Sequence, residues 1–486
     1  MRVLNKSITK PVQRPVKVLQ FGEGNFLRGF VDSMIDMANE RGSFNGNIVI
    51  VKAIPYGSLD AFREQECQYT LSLRGMEDGK PRVVNRIITS IVEAVGAYED
   101  YEEYAAYAKL DSLRFIISNT TEAGIIYDGT DLLEARPPKT YPGKLTKLLY
   151  ERFIHFNGDQ SKGLIIIPCE LIENNGETLL QCVLSYAKLW LLGEEFITWV
   201  EQGCIFCSTL VDRIVTGYPK EEAESFWQEA GYRDRLLDTG ELFALWVIES
   251  RKDISAEFPL AGAGLPVIFT DNQKPYRERK VRILNGAHTS FVLASYLAGN
   301  DMVLESMQDQ LIRDYMRGII FDEIIPTLSL PKEELVSFAN SVIERFENPY
   351  IRHSLLAISL NSVSKWKARC LPSFRGYVSK FGRLPSRLTF SLAALMSFYR
   401  SAERDGEALV GYRNGNAYQI MDDAAVLDFF AGNSQRTNQE YTEALLSRTE
   451  FFGEDMTGYE GLKDAITGYL DEIETHGIRK AIENIR

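Results

Sequence analysis

Apolar residues in the first half of the chain fall in short continuous runs, and in the second half they recur at helical spacing. VKVLQF (16–21) ends at Gly22, and NFLRGFVDSMIDMANE then repeats apolar positions every three or four residues, predicting strand, tight turn and helix. Further strands are predicted at IVIVKAI (48–54), RFIISN (114–119) and GLIIIPCE (163–170), with a helix from about Pro142 to Phe156. β-Branched runs separated by helices predict an α/β fold, a parallel sheet covered on both faces. TLSLRG and RVVNRIITSIVEAV are expected to be strands or a hairpin inserted into this unit.

Past about Thr270 the texture changes. Amphipathic segments at 277–298, 332–346, 353–369, 387–402 and 437–449 predict a mainly helical second domain. The expected division is 1–270 and 271–486, with a cleft between the halves as the natural site.

Composition narrows the partners. A formal charge of −13, from 54 Lys+Arg and 67 Asp+Glu, disfavours nucleic acid or an anionic membrane surface. The N-terminal MRVLNKSITKPVQRPVK has no apolar stretch after its basic residues, so a cytoplasmic protein is expected. The longest apolar stretch, 258–269, is interrupted by prolines and glycines and falls short of the roughly 20 residues a membrane helix needs. Six cysteines in 486 residues are too sparse for a disulfide scaffold. Cys204 and Cys207 have redox-like spacing, but no second pair or nearby His completes a zinc site, and no metal is expected.

Gly22-Glu23-Gly24-Asn25-Phe26-Leu27-Arg28 follows a predicted strand and opens a predicted helix. Glycine allows a sharp turn, and free N–H groups at a helix start bind a pyrophosphate, so a dinucleotide is implied and the first domain reads as a modified Rossmann-type unit. The third fingerprint position is Leu27, which keeps helix and strand further apart than usual. Arg28 could reach a phosphate or stand as a solvated helix residue. The second strand ends in Lys52 rather than an acid, which leaves room for NADP; a Lys snorkelling at a strand end is the plain alternative. Phe21, Gly22, Gly24, Asn25, Phe26 and Arg28, with Asn119, Thr120 and Glu122 after the third of these runs, are the candidate cofactor contacts.

KPYRERKVRILNGAHTSFVLASYLAG carries Lys280, Asn285 and His288. At about 100° per residue they lie within one arc of about 140°, beside apolar Leu284 and Phe291. Desolvation and the neighbouring Arg279 or Arg282 would lower the Lys pKa towards working pH, for proton exchange with a carbinol or carbonyl oxygen. The Asn amide can stabilise a developing alkoxide, and the His can orient the substrate oxygen.

GEGNFLR together with K-x-x-x-x-N-x-x-H resembles the polyol-specific long-chain dehydrogenases, the mannitol dehydrogenase family, and CSTLVDRIVTG is similar to its T/S-x-V-D-R-I segment through Thr209, Val211, Asp212, Arg213 and Ile214. The resemblance covers nearly the whole chain. It implies a metal-independent, NADH-dependent oxidoreductase with Lys280 as general acid/base and Asn285 and His288 beside it, and it implies a monomer.

Further segments, among them SNTTEAGI, IIIPCELIENNG, NPYIRHSLL and RLTFSLAAL, resemble members that act on sugar acids. The implied reaction is reversible reduction of the ketone of D-tagaturonate in hexuronate catabolism, with D-fructuronate as the alternative substrate. Leu171 stands where sugar-alcohol members have an Asn, and Arg277 where they have a Glu, which disfavours mannitol. A uronate adds a carboxylate that calls for cations. Arg352, His353, Lys365 and Arg369 cluster in one segment; the resemblance favours Arg352 and Lys365 as substrate contacts, and Asp212 with them. Arg213 is open to substrate contact or an ion pair between domains. A non-catalytic NAD-binding sensor is the alternative of another class.

Overall fold

The computed structural model describes residues 1–121 and 123–485, and the chain divides into two compact units, 1–75 with 82–273 and 76–81 with 274–486. Apart from the two-residue parallel pair Arg2–Val3 and Tyr232–Arg233, the strands of the first unit are β1 (Val16–Phe21), β2 (Asn47–Lys52), β3 (Tyr69–Glu77), β4 (Lys80–Ile88), β5 (Ile91–Gly96), β6 (Phe115–Ser118), β7 (Ile165–Pro168) and β8 (Ile205–Phe206). They continue with β9 (Ser208–Asp212), β10 (Val215–Gly217), β11 (Asp238–Glu241), β12 (Leu245–Glu249) and β13 (Val267–Thr270).

The main sheet has six parallel strands in the order β5-β2-β1-β6-β7-β8. Counted along the chain within this sheet, that is the Rossmann order 3-2-1-4-5-6, with its switch point between β1 and β6. The continuous apolar runs are explained by burial on both faces. Val18, Ile48, Ile50 and Ile117 face one core with Phe30, Trp246 and Phe258, while Leu19, Val49, Val51 and Ile116 face another with Leu145, Leu149 and Phe196.

One expectation is corrected here. Ile91–Gly96 is not an insertion: it pairs parallel to β2 and is the third strand of the dinucleotide-type half. Only β3 and β4 leave the sheet, joining β11 and β10 in the order β10-β11-β3-β4. A run read in one dimension cannot say which sheet will take it, because the choice rests on pairing partners far along the chain.

The second unit is mainly helical. A short helix, α1 (Lys274–Arg279), passes through a π segment, Lys280–Asn285, into α2 (Gly286–Leu297). α2 is buried almost all round, as the central helix of a large core is expected to be. Around it lie α3 (Lys332–Phe346), α4 (Leu355–Ser359), α5 (Ser362–Arg369) and α6 (Ser386–Tyr399).

The segment 353–369 is two helices rather than one, broken at Asn361, whose φ of 54° is left-handed. A three-stranded meander, Arg404–Asp405, Ala408–Arg413 and Asn416–Ile420, escaped the sequence reading because its strands are short and its outward positions polar. No helix among the described residues is long and apolar enough to cross a membrane.

Candidate active site

The glycine turn leaves β1 at the switch point. Gly22 has φ +122°, and a Cβ there would lie 3.0 Å from the Asn119 carbonyl oxygen, so the turn requires glycine on two grounds. Its N–H donates to the Val51 carbonyl, and the Gln20 amide donates to both the Gly22 carbonyl and Asp32. Gly24 caps the helical turn Asn25–Leu27 and has open space around it. A backbone this close-fitting behind and this open in front fits a pyrophosphate at a helix N-terminus.

Leu27 is buried, and a close approach occurs at Gly29, where a Cβ would come within 2.9 Å of Val215 on β10. Phe21 contributes only backbone to the turn, since its ring is buried against Tyr104 and Tyr141. Phe26 is half-buried and stacks on Phe30.

Arg28 fits neither of its expected roles. It is buried, and its guanidinium donates to the Leu236 carbonyl and to Asn25 Oδ1 while lying 5.2 Å from the Tyr69 ring centroid. It shares its surroundings with two buried acids. Burial pushes the Asp32 carboxyl up to about 8 and that of Asp238 up to about 7, with Arg28 opposing both shifts. Arg28 is therefore a charge beneath the turn, removed as a phosphate contact because the turn's helix is buried all round at Arg28–Asp32.

At the ends of β6 and β7, Asn119 donates to the Cys169 carbonyl, and the Thr120 N–H and hydroxyl both donate to Glu170. Glu170, which also accepts from Ser118, is a buried carboxyl raised by desolvation and was not picked out from sequence. Its one signal was an acid closing an apolar strand. Glu122 lies outside the described residues.

In the Thr209–Ile214 segment, Thr209 bonds the Pro168 carbonyl and receives support from Asn175. Asp212 ends β9 and is buried. Arg213 is buried, and its guanidinium donates to the carbonyls of Phe243, Gly29 and Leu242, all within the first unit.

Lys280, Asn285 and His288 do not lie on one regular α-helix. Lys280 to Asn285 is a π segment, in which residues five apart are hydrogen-bonded neighbours, and Asn285 to His288 is an α-helical step of three. The predicted 140° arc is thus replaced by a stack, one residue above the next. All three are partly exposed, while Leu284 and Phe291 are buried beside them.

The neighbouring arginines are committed elsewhere. Arg279 pairs with Glu334 and lies over Phe338, and Arg282 donates to Ser373 and Thr327.

His288 stacks on Phe346 at 4.2 Å and meets His353 edge-on at 5.1 Å. Its Nε2 is buried with no hydrogen-bond partner among the described residues. Burial holds its pKa well below the usual imidazole range, and His353, Arg345, Arg369 and Lys365 add to the effect. The ring is neutral at neutral pH, in a cationic surround.

Lys365 donates to the Ile358 carbonyl, and its pKa is lowered by burial and by Arg369. Arg369 reaches Thr289 at 3.4 Å. Arg352 is exposed, whereas Lys365, Arg369 and His353 of the same segment act on His288. Arg345, from the last turn of α3, was missed because that helix showed only an ordinary amphipathic pattern.

Other candidates fall away. Cys204 and Cys207 are buried free thiols pushed up to about 12 by desolvation, the reverse of a reactive thiolate. No group of three His, Cys, Asp or Glu that could hold a metal occurs among the described residues. Leu171 is exposed.

Comparison with known proteins agrees in both units. The mannitol dehydrogenase Rossmann domain model matches residues 16–262, and the mannitol dehydrogenase C-terminal domain model matches residues 272–474. The chain is 44% identical over 489 residues to an altronate oxidoreductase of Escherichia coli O7:K1, covering 99% of each chain. It is 43% identical over 492 residues to an altronate oxidoreductase of Enterobacter sp. (strain 638), covering 100% of each. Among solved structures it resembles a substrate-free D-sorbitol dehydrogenase (TM-score 0.79, 22% identity, 99% of this chain and 100% of that one). It also resembles the Pseudomonas fluorescens mannitol 2-dehydrogenase ternary complex with NAD and D-mannitol (TM-score 0.65, 21% identity, 99% of each). At these identities the two structures speak for the fold.

Proposed function

Since the chain belongs to the mannitol dehydrogenase family, oxidoreductases acting on CH–OH groups, we propose that it catalyses the NADH-dependent, reversible reduction of D-tagaturonate to D-altronate. The observation that carries this reading is the cationic surround of His288. Arg345, Lys365 and Arg369 come from two helices to the side of the Lys280–Asn285–His288 stack. A neutral polyol has no use for such a concentration of positive charge, whereas a uronate carboxylate is recognised by it. The names of the full-length relatives point to the same substrate class.

The first unit would hold the dinucleotide through the Gly22–Gly24 backbone and the loop at Asn119 and Thr120. When bound, NADH supplies the hydride for the ketone carbon. Lys280 gives a proton to the oxygen on that carbon as negative charge builds there, and takes it back in the oxidative direction. The Asn285 amide donates to the same oxygen, a fixed dipole that needs no reorganisation. His288, kept neutral, orients a substrate hydroxyl without adding to the positive charge. Lys365 and Arg369 grip the carboxylate, and Asp212 contacts a substrate hydroxyl.

The test is NADH oxidation measured side by side with D-tagaturonate, D-fructuronate and D-fructose. Tagaturonate is expected to give the highest kcat/KM; preference for fructose overturns the uronate reading, and preference for fructuronate overturns the choice of epimer. Lys280→Ala should keep NADH binding and lose turnover by about 10²- to 10⁴-fold. A variant without turnover loss rejects the proton-transfer role, and wild-type protein that binds NADH without reducing any ketone would be a sensor.

A further inference from the structure

The second strand of the main sheet ends in Lys52, where a Rossmann unit selective for NAD usually presents an acid to the ribose 2′-hydroxyl. Lys52 is not available to a phosphate in its place. Its side chain has no solvent exposure, and the ammonium donates to the Ile54 carbonyl at 3.1 Å and the Tyr56 carbonyl at 3.2 Å, and pairs with Glu99 Oε1 at 2.5 Å. An ammonium has three donors, and these three acceptors use them all.

Glu99 arrives from the neighbouring strand. Lys52 pairs with Gly96 at the end of β5, and the Ala97 N–H donates to the Lys52 carbonyl. The chain then turns, and the Glu99 side chain folds back over Gly96, where a Cβ would overlap its carboxylate. While Lys52 is sealed, the Glu99 side chain is 42% exposed. Glu23, in the glycine turn itself, is close enough to be influenced by Lys52, Arg28 and Glu99. The end of the second strand is thus lined by a sealed ammonium, an accessible carboxylate held by it, and a second carboxylate in the turn.

We propose that Glu99, held in place by Lys52, binds the free 2′-hydroxyl of the adenosine half and repels a 2′-phosphate, making this site selective for NADH over NADPH. The inference rests on the dinucleotide reading above and adds to it the residue that chooses between the two forms. The lone pairs of Glu99 not used by Lys52 accept from the ribose hydroxyls. A 2′-phosphate, carrying close to two negative charges, would face Glu99 and Glu23 with no free cation from Lys52.

The experiment is direct calorimetric titration of NADH and NADPH into the wild-type protein, Glu99→Ser and Glu99→Gln, without substrate. Wild type is expected to prefer NADH. Each variant is expected to weaken NADH, tighten NADPH and change their Kd ratio by about ten- to hundredfold, the range for a lost hydrogen bond to a charged group. If Glu99 only neutralises buried Lys52, both Kd values move together and the ratio stays constant, which overturns the proposal.

Should the variants not fold, the wild type still decides. Its discrimination should shrink as salt screens the carboxylates, and a ratio indifferent to salt overturns the proposal. Wild type that binds neither dinucleotide overturns the cofactor reading itself. Binding with unaltered selectivity in the variants overturns only the role of Glu99.

Discussion

Arg28 occupies the position from which a phosphate ligand would be expected to reach out, yet its guanidinium turns inward to the Leu236 carbonyl and Tyr69. Sequence shows the type of charge at a position but not the direction in which the buried side of a helix will point. The companion acids give a measurable signature. Asp32 and Asp238 are held protonated by burial up to about 8 and about 7, while in the unfolded chain such groups ionise near pH 4. Between those limits the folded state binds more protons than the unfolded one, so the contribution of these acids is full below about pH 4 and is lost as pH rises to about 8. Asp32→Asn is expected to flatten this decline, read as the urea midpoint at several pH values. An unchanged slope would mean that Asp32 is ionised in the fold.

At the scale of elements, the glycine turn and the π segment solve opposite problems. The turn needs a residue that the chain could already reveal: Gly22 at φ +122° with the Asn119 carbonyl 3.0 Å from any Cβ. Gly22→Ala is expected to cost about 1–3 kcal/mol in urea unfolding and to weaken NADH binding more than substrate binding. A variant as stable as wild type would show that the turn can relax. The π segment was not legible. Lys280, Asn285 and His288 were recognisable by type and spacing, but the π segment that carries the first two departs from the 3.6-residue period that a sequence pattern can show. The same holds for Ile91–Gly96, whose strand character was readable and whose place in the main sheet was not.

Over the whole molecule, charge is unevenly distributed. A chain of net charge −13 repels an anionic substrate at long range, and the cations around His288 reverse that locally. Lys365→Met is therefore expected to raise KM for tagaturonate by roughly ten- to hundredfold and leave KM for fructose unchanged, as measured by steady-state kinetics. Equal effects on both would place Lys365 outside carboxylate recognition. The two basic contributions to this region differ in how they could be found. Lys365 and Arg369 share a segment with a resemblance to known substrate contacts, whereas Arg345 is separated from them along the chain and joins them only by folding.

Local pattern was sufficient for what depends on local forces: the strand, turn and helix around Gly22, the helical second half, and the spacing of the Lys, Asn and His. Those features follow from side-chain periodicity and backbone sterics, which act between near neighbours. The tertiary structure alone decided which strand joins which sheet, that Arg28 and Arg213 are buried on backbone carbonyls, that Lys52 is sealed by Glu99, and that Arg345 stands near His288. Each of these is a matter of desolvation and charge pairing between residues distant in the chain, and such energies exist only once folding has brought the groups together.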